Sequence, residues 1–261
     1  MNLGLRGRKV VVTGASRGIG RATAEQFAAE QCDLALVART DAAILELATK
    51  LREGGVNAVA ISADVSSSGG AKGAIDEARR QLGTVDVLVN NAGTSPFGSF
   101  DVIDDAAWTA AFELKLLGYV RCIRAVLPLM RAQRSGTIIN VVGTAGRNAT
   151  PGYVLGAFNA ALLHLTKSVA ELVVEEGIRV VAINPGFTNT ARATTAMRLW
   201  AAEEGMDEES YTRQFVSDLP LGRFAEPDEI ARMIVLLASD VMAPATGSAL
   251  QADTGAAKGH F

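Results

Sequence analysis

The sequence reads Thr13-Gly14-Ala15-Ser16-Arg17-Gly18-Ile19-Gly20 directly after a short apolar run, Val10-Val11-Val12, and directly before a segment with helical periodicity. Glycine at 14 permits a sharp turn, glycine at 18 lets the backbone approach a pyrophosphate, and glycine at 20 lets the helix pack closely on a strand. A helix that begins here offers free N–H groups and a positive potential to phosphate oxygens. Three glycines alone are a weak signal, but a strand before them and a helix after them are the context that the motif requires. The stretch therefore predicts a dinucleotide-binding strand–turn–helix unit.

The end of the second apolar run indicates which dinucleotide is bound. A site for NAD places Asp or Glu about 20 residues beyond the glycine turn, where the carboxylate holds the ribose 2′-hydroxyl. This chain has Val37-Ala38-Arg39-Thr40 at that point, with no acid among the four. A guanidinium at Arg39 suits a 2′-phosphate, and Arg17 supplies a second one from the glycine turn. Either arginine alone is equally well a surface charge, but the two together favour NADP(H) as the cofactor.

Short apolar runs alternate with longer Ala- and Leu-rich segments along the chain. The runs that predict strands cover residues 10–12, 34–37, 59–61, 85–90, 137–142, 178–183 and 248–251. Runs that are apolar at nearly every position are typical of strands buried on both faces of a parallel sheet. A chain of 261 residues is long enough for one such domain. We predict an α/β fold: residues 1–261 form a single doubly wound Rossmann-type domain, a seven-stranded parallel sheet with helices on both faces.

The composition excludes several classes of function. A net charge of −3 and an aromatic content of 5% argue against a nucleic-acid partner, which calls for a basic stripe or stacking platforms. Two cysteines and two histidines are too few to predict a zinc site, so no metal is expected. Cysteines without a pairing pattern suit a reducing, cytoplasmic location. Residues 1–8 lack a signal-peptide pattern and the apolar runs look too short to span a bilayer, so no membrane partner is expected.

Further motifs give the chain a resemblance to a known family. The sequence contains, in this order after the glycine turn, Asp64-Val65, Asn90-Asn91-Ala92-Gly93, Asn184-Pro185-Gly186 and Asp253-Thr254-Gly255. With these motifs the chain resembles the short-chain dehydrogenase/reductase (SDR) family along nearly its whole length. The resemblance implies that Asp64 and Val65 contact adenine and that Asn91, Ala92 and Gly93 line the adenosine side. It also implies that the loop 185–190 holds the nicotinamide carboxamide, through Pro185, Gly186, Thr188 and Thr190.

The catalytic positions of that family carry other residues in this chain. The family uses an Asn–Ser–Tyr–Lys tetrad, in which Tyr exchanges the proton, Lys lowers the tyrosine pKa and holds the ribose, Ser orients the carbonyl and Asn anchors a water. Counting back from the segment 160–167 places Leu155 at the tyrosine position and Asn159 at the lysine position. The strand end 139–143 places Gly143 at the serine position, and the segment 112–118 places Lys115 at the asparagine position. The resemblance is therefore to an atypical member without Ser, Tyr and Lys, in which Asn159 can still hydrogen-bond the ribose.

Three interpretations of this site are open. In the first, the chain is an NADP(H)-dependent oxidoreductase of a carbonyl or alcohol, in which Lys115 and Tyr153 rebuild a Tyr–Lys pair and Thr144 hydrogen-bonds the carbonyl; a buried lysine is costly without such a task. In the second, it is a catalytically silent NADP(H)-binding protein, a redox sensor or a non-catalytic subunit, because only the cofactor half of the site is intact. In the third, Lys115 or Tyr153 is the base of an elimination or isomerisation.

One segment interrupts the strand–helix alternation. Residues 188–219 are polar and show no strand pattern. Since ligands of open α/β sheets lie beyond the carboxyl ends of the strands, we expect a substrate lid here, with a plain surface insertion as the alternative. The expected lining, Val142, Leu155, Phe158 and Phe187, indicates an apolar small-molecule substrate. In the resembled family, two helices corresponding to the wide apolar faces near 104–130 and 153–175 form a four-helix interface, which implies a homotetramer or homodimer.

Overall fold

The computed structural model describes residues 2–93, 97–98, 100–149 and 156–257. Seven strands form one sheet in the order β3-β2-β1-β4-β5-β6-β7, and every neighbouring pair is parallel. The strands are β1 (Lys9–Thr13), β2 (Asp33–Ala38), β3 (Ala58–Ser62), β4 (Val87–Asn90), β5 (Gly136–Val141), β6 (Ile178–Pro185) and β7 (Ala249–Ala252). The strand order reverses between β1 and β4, which is the doubly wound topology. The predicted fold class is confirmed.

The pairing register brings three strand ends together at one edge of the sheet. Val12 of β1 pairs with Val89 of β4, and Asn90 pairs with Asn140 of β5. All residues of β4, β5 and β6 are buried, as expected for strands covered by helices on both faces. The carboxyl ends of β1, β4 and β5 therefore border the crevice at the topological switch point, where ligands of open α/β sheets bind.

Nine α-helices lie among the described residues. They are α1 (Gly18–Ala29), α2 (Asp41–Glu53), α3 (Ser68–Leu82), α4 (Asp105–Ala111), α5 (Gly118–Gln133), α6 (Gly156–Val173), α7 (Ala191–Glu203), α8 (Glu208–Ser217) and α9 (Pro227–Ala238). One core layer contains side chains of α1, α2 and α9, and the other contains side chains of α3, α5 and α6. Cys32 and Cys122 are buried and unpaired, one in each layer, and burial raises the pKa of each thiol to about 12.

The helical region predicted near 104–130 is not one continuous helix. It begins with α4, where the Asp104 side chain accepts a hydrogen bond from the Ala107 amide at 2.8 Å. A π-helical turn, Phe112–Leu117, follows and leads directly into α5. At the start of α5, Gly118 packs against the loop that follows β3. A Cβ added to Gly118 would lie 3.2 Å from the carbonyl oxygen of Val65. Single π-helical turns inside α-helices are frequent at functional sites, and this one carries Lys115.

The segment 188–219 folds into two helices, α7 and α8, above the carboxyl ends of the strands. Its base is closed by backbone contacts, because the Asn189 amide donates to the Ala225 carbonyl at 2.8 Å and the Ala225 amide donates to the Phe187 carbonyl at 3.0 Å. An aromatic cluster joins it to that base, with ring centroids 4.7 to 6.2 Å apart among Phe187, Trp200, Phe215 and Phe224. The segment is therefore a two-helix insertion, and backbone hydrogen bonds hold its two ends together.

One helix corrects the expectation that no apolar run is long enough for a bilayer. The helical stretch Gly156–Glu176, which contains α6, is long enough and has a mean hydropathy of 1.2 over its most apolar window. Within the fold it packs on the sheet, with Leu162, Ala170 and Val173 buried in the core. Core helices commonly pass a test of length and composition, so this stretch is only a weak indication of a membrane span.

Candidate active site

The glycine turn at the end of β1 has the geometry that its glycines predict. Gly14 and Gly18 have positive φ angles of 68° and 57°, a region that side chains disfavour. A Cβ at Gly20 would lie 2.2 Å from the carbonyl oxygen of Gly14, so that only glycine allows α1 to begin this close to the turn. At Gly14, a Cβ would lie 2.9 Å from Nδ2 of Asn91.

Residues that follow β4 form hydrogen bonds with the glycine turn. The hydroxyl of Thr13 accepts hydrogen bonds from the amides of Asn91 and Ala92 at 2.9 and 3.1 Å. Nδ2 of Asn91 donates to the carbonyl oxygens of Thr13 and Gly14 at 3.0 and 3.2 Å. The Asn91 side chain therefore braces the glycine turn, a role that the motif alone does not reveal.

The beginning of α1 is open to an anion. Arg17 precedes the helix in an extended conformation, no side chain caps the helix, and its first turn holds no acid. The first N–H groups of a helix have no intrahelical acceptor and carry a positive potential. Arg17 is exposed and takes part in none of the salt bridges among the described residues. This arrangement fits a diphosphate at the helix tip.

Arg39 stands at the end of β2, exposed and likewise outside those salt bridges. Its charge reaches Asp64: hydrogen bonding from Ser66, and to a smaller degree the Arg39 charge, hold the pKa of the Asp64 carboxyl below its usual range. The Asp64 side chain accepts from the Ser66 amide at 2.9 Å, and the neighbouring Val65 is buried. The structure thus brings Arg39 and Asp64 to one rim of the crevice.

The loop that follows β6 closes over the glycine turn. Gly186 packs against the Asp253 motif, where an added Cβ would lie 2.8 Å from the Asp253 Cα. The buried Thr188 donates its hydroxyl to the Gly186 carbonyl at 3.1 Å. Thr190 caps α7, and its Cγ2 lies 3.3 Å from the Cβ position of Gly18. The two predicted cofactor segments, the glycine turn and the loop 185–190, are therefore in contact.

Lys115 reaches from the π-helical turn to the carboxyl end of β5. Its Nζ donates to the carbonyl oxygens of Val141 and Val142 at 2.8 and 3.1 Å, and to the hydroxyl of Tyr119 at 3.3 Å. The residue as a whole is half-buried, while its Nζ is enclosed by these three acceptors. Burial, followed by the positive charge of Arg192, lowers the pKa of Lys115 from 10.5 to about 7. An amine with this pKa can both donate and accept a proton near neutral pH.

Gly143 and Asn159, which the resemblance assigns to the serine and lysine positions, lie close together just beyond β5. Gly143 has a φ of 122°, and a Cβ placed on it would lie 3.1 Å from Nδ2 of Asn159. Asn159 is buried, and Gly146 packs closely on its backbone. Thr144 begins the short 3-10 turn Thr144–Gly146 and is half-buried. Gly143 and Asn159 therefore lie close together at the end of β5, where Lys115 also binds the Val142 carbonyl and Thr144 follows in the chain, while the catalytic and cofactor roles of these residues stay predictions.

The predicted tyrosine partner of Lys115 lies outside the described residues, as does Leu155. The tyrosine that contacts Lys115 is Tyr119, which is fully buried and donates its hydroxyl to the Val141 carbonyl at 2.9 Å. Tyr119 was not among the residues predicted from the sequence. Its signal was the spacing of four residues from Lys115, which places two side chains on one face of a helix.

The expected apolar lining is partly corrected. Phe158 packs edge-on against Trp108 and tilted against Phe112, with centroid distances of 5.4 and 5.8 Å, so it belongs to an outer contact between α4, the π-helical turn and α6. Val142 is buried beside the Lys115 amine, and Phe187 joins the aromatic cluster of the segment 188–219. No cluster of side chains suited to a metal ion exists among the described residues.

The open helix tip, the glycine turn and the Lys115 amine with its lowered pKa lie at one edge of the sheet, an arrangement typical of a dinucleotide-dependent α/β enzyme. Residues 8–199 match the family model described as short chain dehydrogenase, and the chain belongs to this family of oxidoreductases.

Similar proteins cover almost the entire chain. It is 34% identical over 256 residues to a 3-oxoacyl-[acyl-carrier-protein] reductase of Staphylococcus aureus, covering 95% of this chain and 97% of that protein. The crystal structure of L-sorbose reductase from Gluconobacter frateurii, complexed with NADPH and L-sorbose, superposes with a TM-score of 0.93 at 33% identity over 99% of this chain and 100% of that one. A variant of actinorhodin polyketide ketoreductase with NADPH gives a TM-score of 0.93 at 27% identity, over 97% and 98% of the two chains.

Proposed function

We propose that this chain is an NADP(H)-dependent oxidoreductase that interconverts a carbonyl compound and an alcohol through a non-standard active site. The observation that carries the proposal is the position of Lys115, whose amine has a pKa of about 7 and lies at the end of β5. The similar reductases named above support carbonyl chemistry. Lys115 takes the proton-exchanging role that tyrosine has in the resembled family.

The residues of the crevice fit NADP(H). The uncapped tip of α1, with Gly14, Gly18 and Gly20 behind it, would hold the diphosphate, because no side chain fits between the turn and the helix. Arg17 and Arg39 would hold the 2′-phosphate. The other cofactor contacts that we propose come from Ser16, Ile19, Asp64, Val65, Asn91, Ala92, Gly93, Asn159, Pro185, Gly186, Thr188 and Thr190. NADPH, when bound, supplies the hydride that reduces the carbonyl carbon.

Lys115 would complete the reduction at the carbonyl oxygen. The ammonium form releases a proton to the oxygen as the alcohol forms, and the neutral amine accepts it back in the oxidative direction. The contact to Tyr119 is the longest of its three, at 3.3 Å, so this N–H is the one most easily turned towards a substrate. Thr144, next to Gly143, would hydrogen-bond the same oxygen in place of the family serine. Tyr153 stays a candidate second donor.

The segment 188–219 and the outer aromatic contact would bind the substrate and a second subunit, respectively. The segment 188–219 would act as a substrate lid, and its aromatic cluster would cover the apolar part of a small-molecule substrate. A homotetramer or homodimer would cover the outer contact of Trp108, Phe112 and Phe158, since Phe112 is exposed. The pattern of two buried, unpaired cysteines supports a cytoplasmic location.

A silent cofactor-binding protein is the second candidate, because Gly143 and Leu155 bring no proton donor to positions where the resembled family has serine and tyrosine. Elimination or isomerisation is a third, with Lys115 as base. The test is calorimetric binding of NADPH, followed by a carbonyl panel monitored at the nicotinamide absorbance and by product analysis. We expect tight binding and reduction of at least one ketone, lost in Lys115→Met. Binding without turnover favours the silent protein, and product without cofactor oxidation favours the isomerase.

A further inference from the structure

Arg192 lies at the start of the lid segment and contacts an aromatic ring. It is the second residue of α7, two positions after Thr190, which contacts the glycine turn. Its guanidinium carbon lies 4.5 Å from the ring centroid of Phe97, in a cation–π contact. Phe97 in turn packs edge-on against Trp200 at 5.6 Å, within the aromatic cluster. The lid therefore holds this guanidinium on a fixed aromatic support above the crevice.

Lys115 provides a second positive charge near Arg192. Lys115 belongs to the π-helical turn next to the sheet, and its Cδ lies 3.0 Å from the Cβ position of Gly93, four residues before the Phe97 that supports Arg192. The positive charge of Arg192 accordingly destabilises the Lys115 ammonium. No carboxylate in the described part of the chain stabilises that ammonium in return. The other groups that contact the Lys115 amine are the neutral Tyr119 hydroxyl and two carbonyl oxygens. The space between the lid and the end of β5 is therefore bordered by two positive charges that repel each other.

We propose that Arg192 selects substrates that carry a carboxylate near the reacting carbonyl, so that oxo acids and hydroxy acids are preferred over neutral ketones and alcohols. The proposal rests on the function proposed above. A guanidinium binds a carboxylate through two parallel hydrogen bonds, and support from Phe97 lowers the cost of ordering the side chain. A carboxylate placed here also offsets the repulsion between Arg192 and Lys115, which favours its binding beside the exposed Arg192.

A carboxylate bound by Arg192 changes the expected substrate from a purely apolar one to one with both an apolar and an anionic part. The rings of Phe97 and Trp200, beside Arg192, offer an apolar surface next to the cationic group. A matching substrate has a short apolar chain, a carboxylate at one end and the carbonyl between them or beside the carboxylate. Arg192 is therefore a specificity-determining residue, while the proton exchange stays with Lys115.

The test compares an oxo acid with its methyl ester, which lacks the negative charge and is larger by one methyl group. Four proteins are measured with saturating NADPH: the wild type, Arg192→Gln, Arg192→Lys and the control Arg198→Gln, which removes an exposed arginine from the same helix. We expect the wild type to prefer the acid. At a pH below the decline in rate, Arg192→Gln should lose about 10- to 100-fold in kcat/KM for the acid, through KM, and almost nothing for the ester, while Arg192→Lys recovers part of the loss.

A second readout separates this role from a structural one. Loss of the Arg192 charge removes a repulsion at Lys115, so the pH at which ester reduction declines should move upwards in Arg192→Gln but not in Arg198→Gln. Equal loss for acid and ester overturns the inference, as does a weaker calorimetric affinity for NADPH in Arg192→Gln, which would assign Arg192 to the cofactor. Reduction of neutral ketones without any preference for acids also overturns it and leaves the oxidoreductase proposal intact. Failure of the wild type to bind NADPH contradicts the proposed function itself.

Discussion

Lys115 and Tyr119 share one acceptor, the carbonyl oxygen of Val141, which receives the lysine Nζ at 2.8 Å and the tyrosine hydroxyl at 2.9 Å. The tyrosine hydroxyl also accepts from the lysine, so three polar groups close a small ring at the end of β5. Because the ring lies inside the protein, the ammonium form gains hydrogen bonds but loses hydration, and the pKa of Lys115 falls to about 7. The lysine is thereby held ready to exchange a proton near neutral pH.

Replacement of Lys115 by Met should change how stability depends on pH. Lys115 titrates near 7 in the folded chain and near 10.5 in the unfolded one, so the unfolded chain binds more protons between these values. The unfolding free energy of the wild type should therefore rise, relative to Lys115→Met, as the pH increases across that window. We expect a gain on the order of 1–3 kcal/mol, discounted for the partial exposure of the residue.

Urea unfolding at several pH values measures this gain. Lys167→Met is the matched control, since Lys167 is exposed and paired with Glu171 on the surface at 3.1 Å. Stability curves of wild type and Lys115→Met that run parallel over the window would show that the Lys115 amine titrates normally.

Removal of the Tyr119 hydroxyl should make Lys115 a stronger acid. In Tyr119→Phe the ammonium loses one acceptor but keeps the carbonyl oxygens of Val141 and Val142. A hydrogen bond to the charged form favours that form, so its loss lowers the pKa of Lys115 further. The pH at which carbonyl reduction declines should shift downwards, with turnover at low pH retained. An unmoved decline would mean that the Lys115–Tyr119 contact has no electrostatic effect.

The two arginines at the adenosine end should control the choice of cofactor. Arg17→Gln and Arg39→Gln each remove a charged donor that would face the 2′-phosphate. Each should weaken NADPH binding about 10- to 100-fold while leaving NADH binding within a few-fold, since charged hydrogen bonds contribute about 1.5–3 kcal/mol. Calorimetry with both cofactors measures this, and Arg6→Gln, an exposed arginine outside the crevice, is the control. Equal losses for NADPH and NADH would exclude a 2′-phosphate clamp.

The turn should not tolerate a methyl group at Gly20. In Gly20→Ala the new Cβ would lie 2.2 Å from the Gly14 carbonyl oxygen, which forces α1 away from β1. We expect a loss of about 1–3 kcal/mol in stability, together with loss of NADPH binding. Gly73→Ala on α3, where the new Cβ meets nothing, should instead be neutral or stabilising by up to about 1 kcal/mol. Equal thermal unfolding of the two variants would contradict the close packing at Gly20.

The sequence was sufficient for the fold and for the outline of the cofactor site. Apolar runs predicted all seven strands, although β3 and β7 are only partly buried. The glycines of the turn are required by backbone contacts that recur whenever a helix begins this close to a strand. Gly143, Asn159 and Lys115 were assigned to catalytic positions by counting from the motifs of the resembled family, and their roles stay predictions. In the structure Gly143 lies beside Asn159, and Lys115 binds the Val142 carbonyl.

Side-chain direction was harder to predict. The π-helical turn widens the helix around Lys115, and a regular α-helical period does not show that its amine shares an acceptor with Tyr119. Phe158 faces Trp108 because aromatic packing between helices decides its orientation, and a single sequence does not show which face of α6 meets the pocket. The contact of Arg192 with Phe97 joins residues far apart in sequence, so no local sequence pattern predicts it.

The most direct test of the central claim is the pH dependence of kcat/KM for carbonyl reduction by wild type and Lys115→Met. Because the ammonium form must donate the proton, we expect the wild-type rate to decline as the pH rises through about 7. Lys115→Met should be slower by at least about 100-fold, without that decline and with NADPH affinity unchanged. A Lys115→Met protein that keeps both the rate and the wild-type pH profile would contradict the assignment of Lys115 as the proton donor.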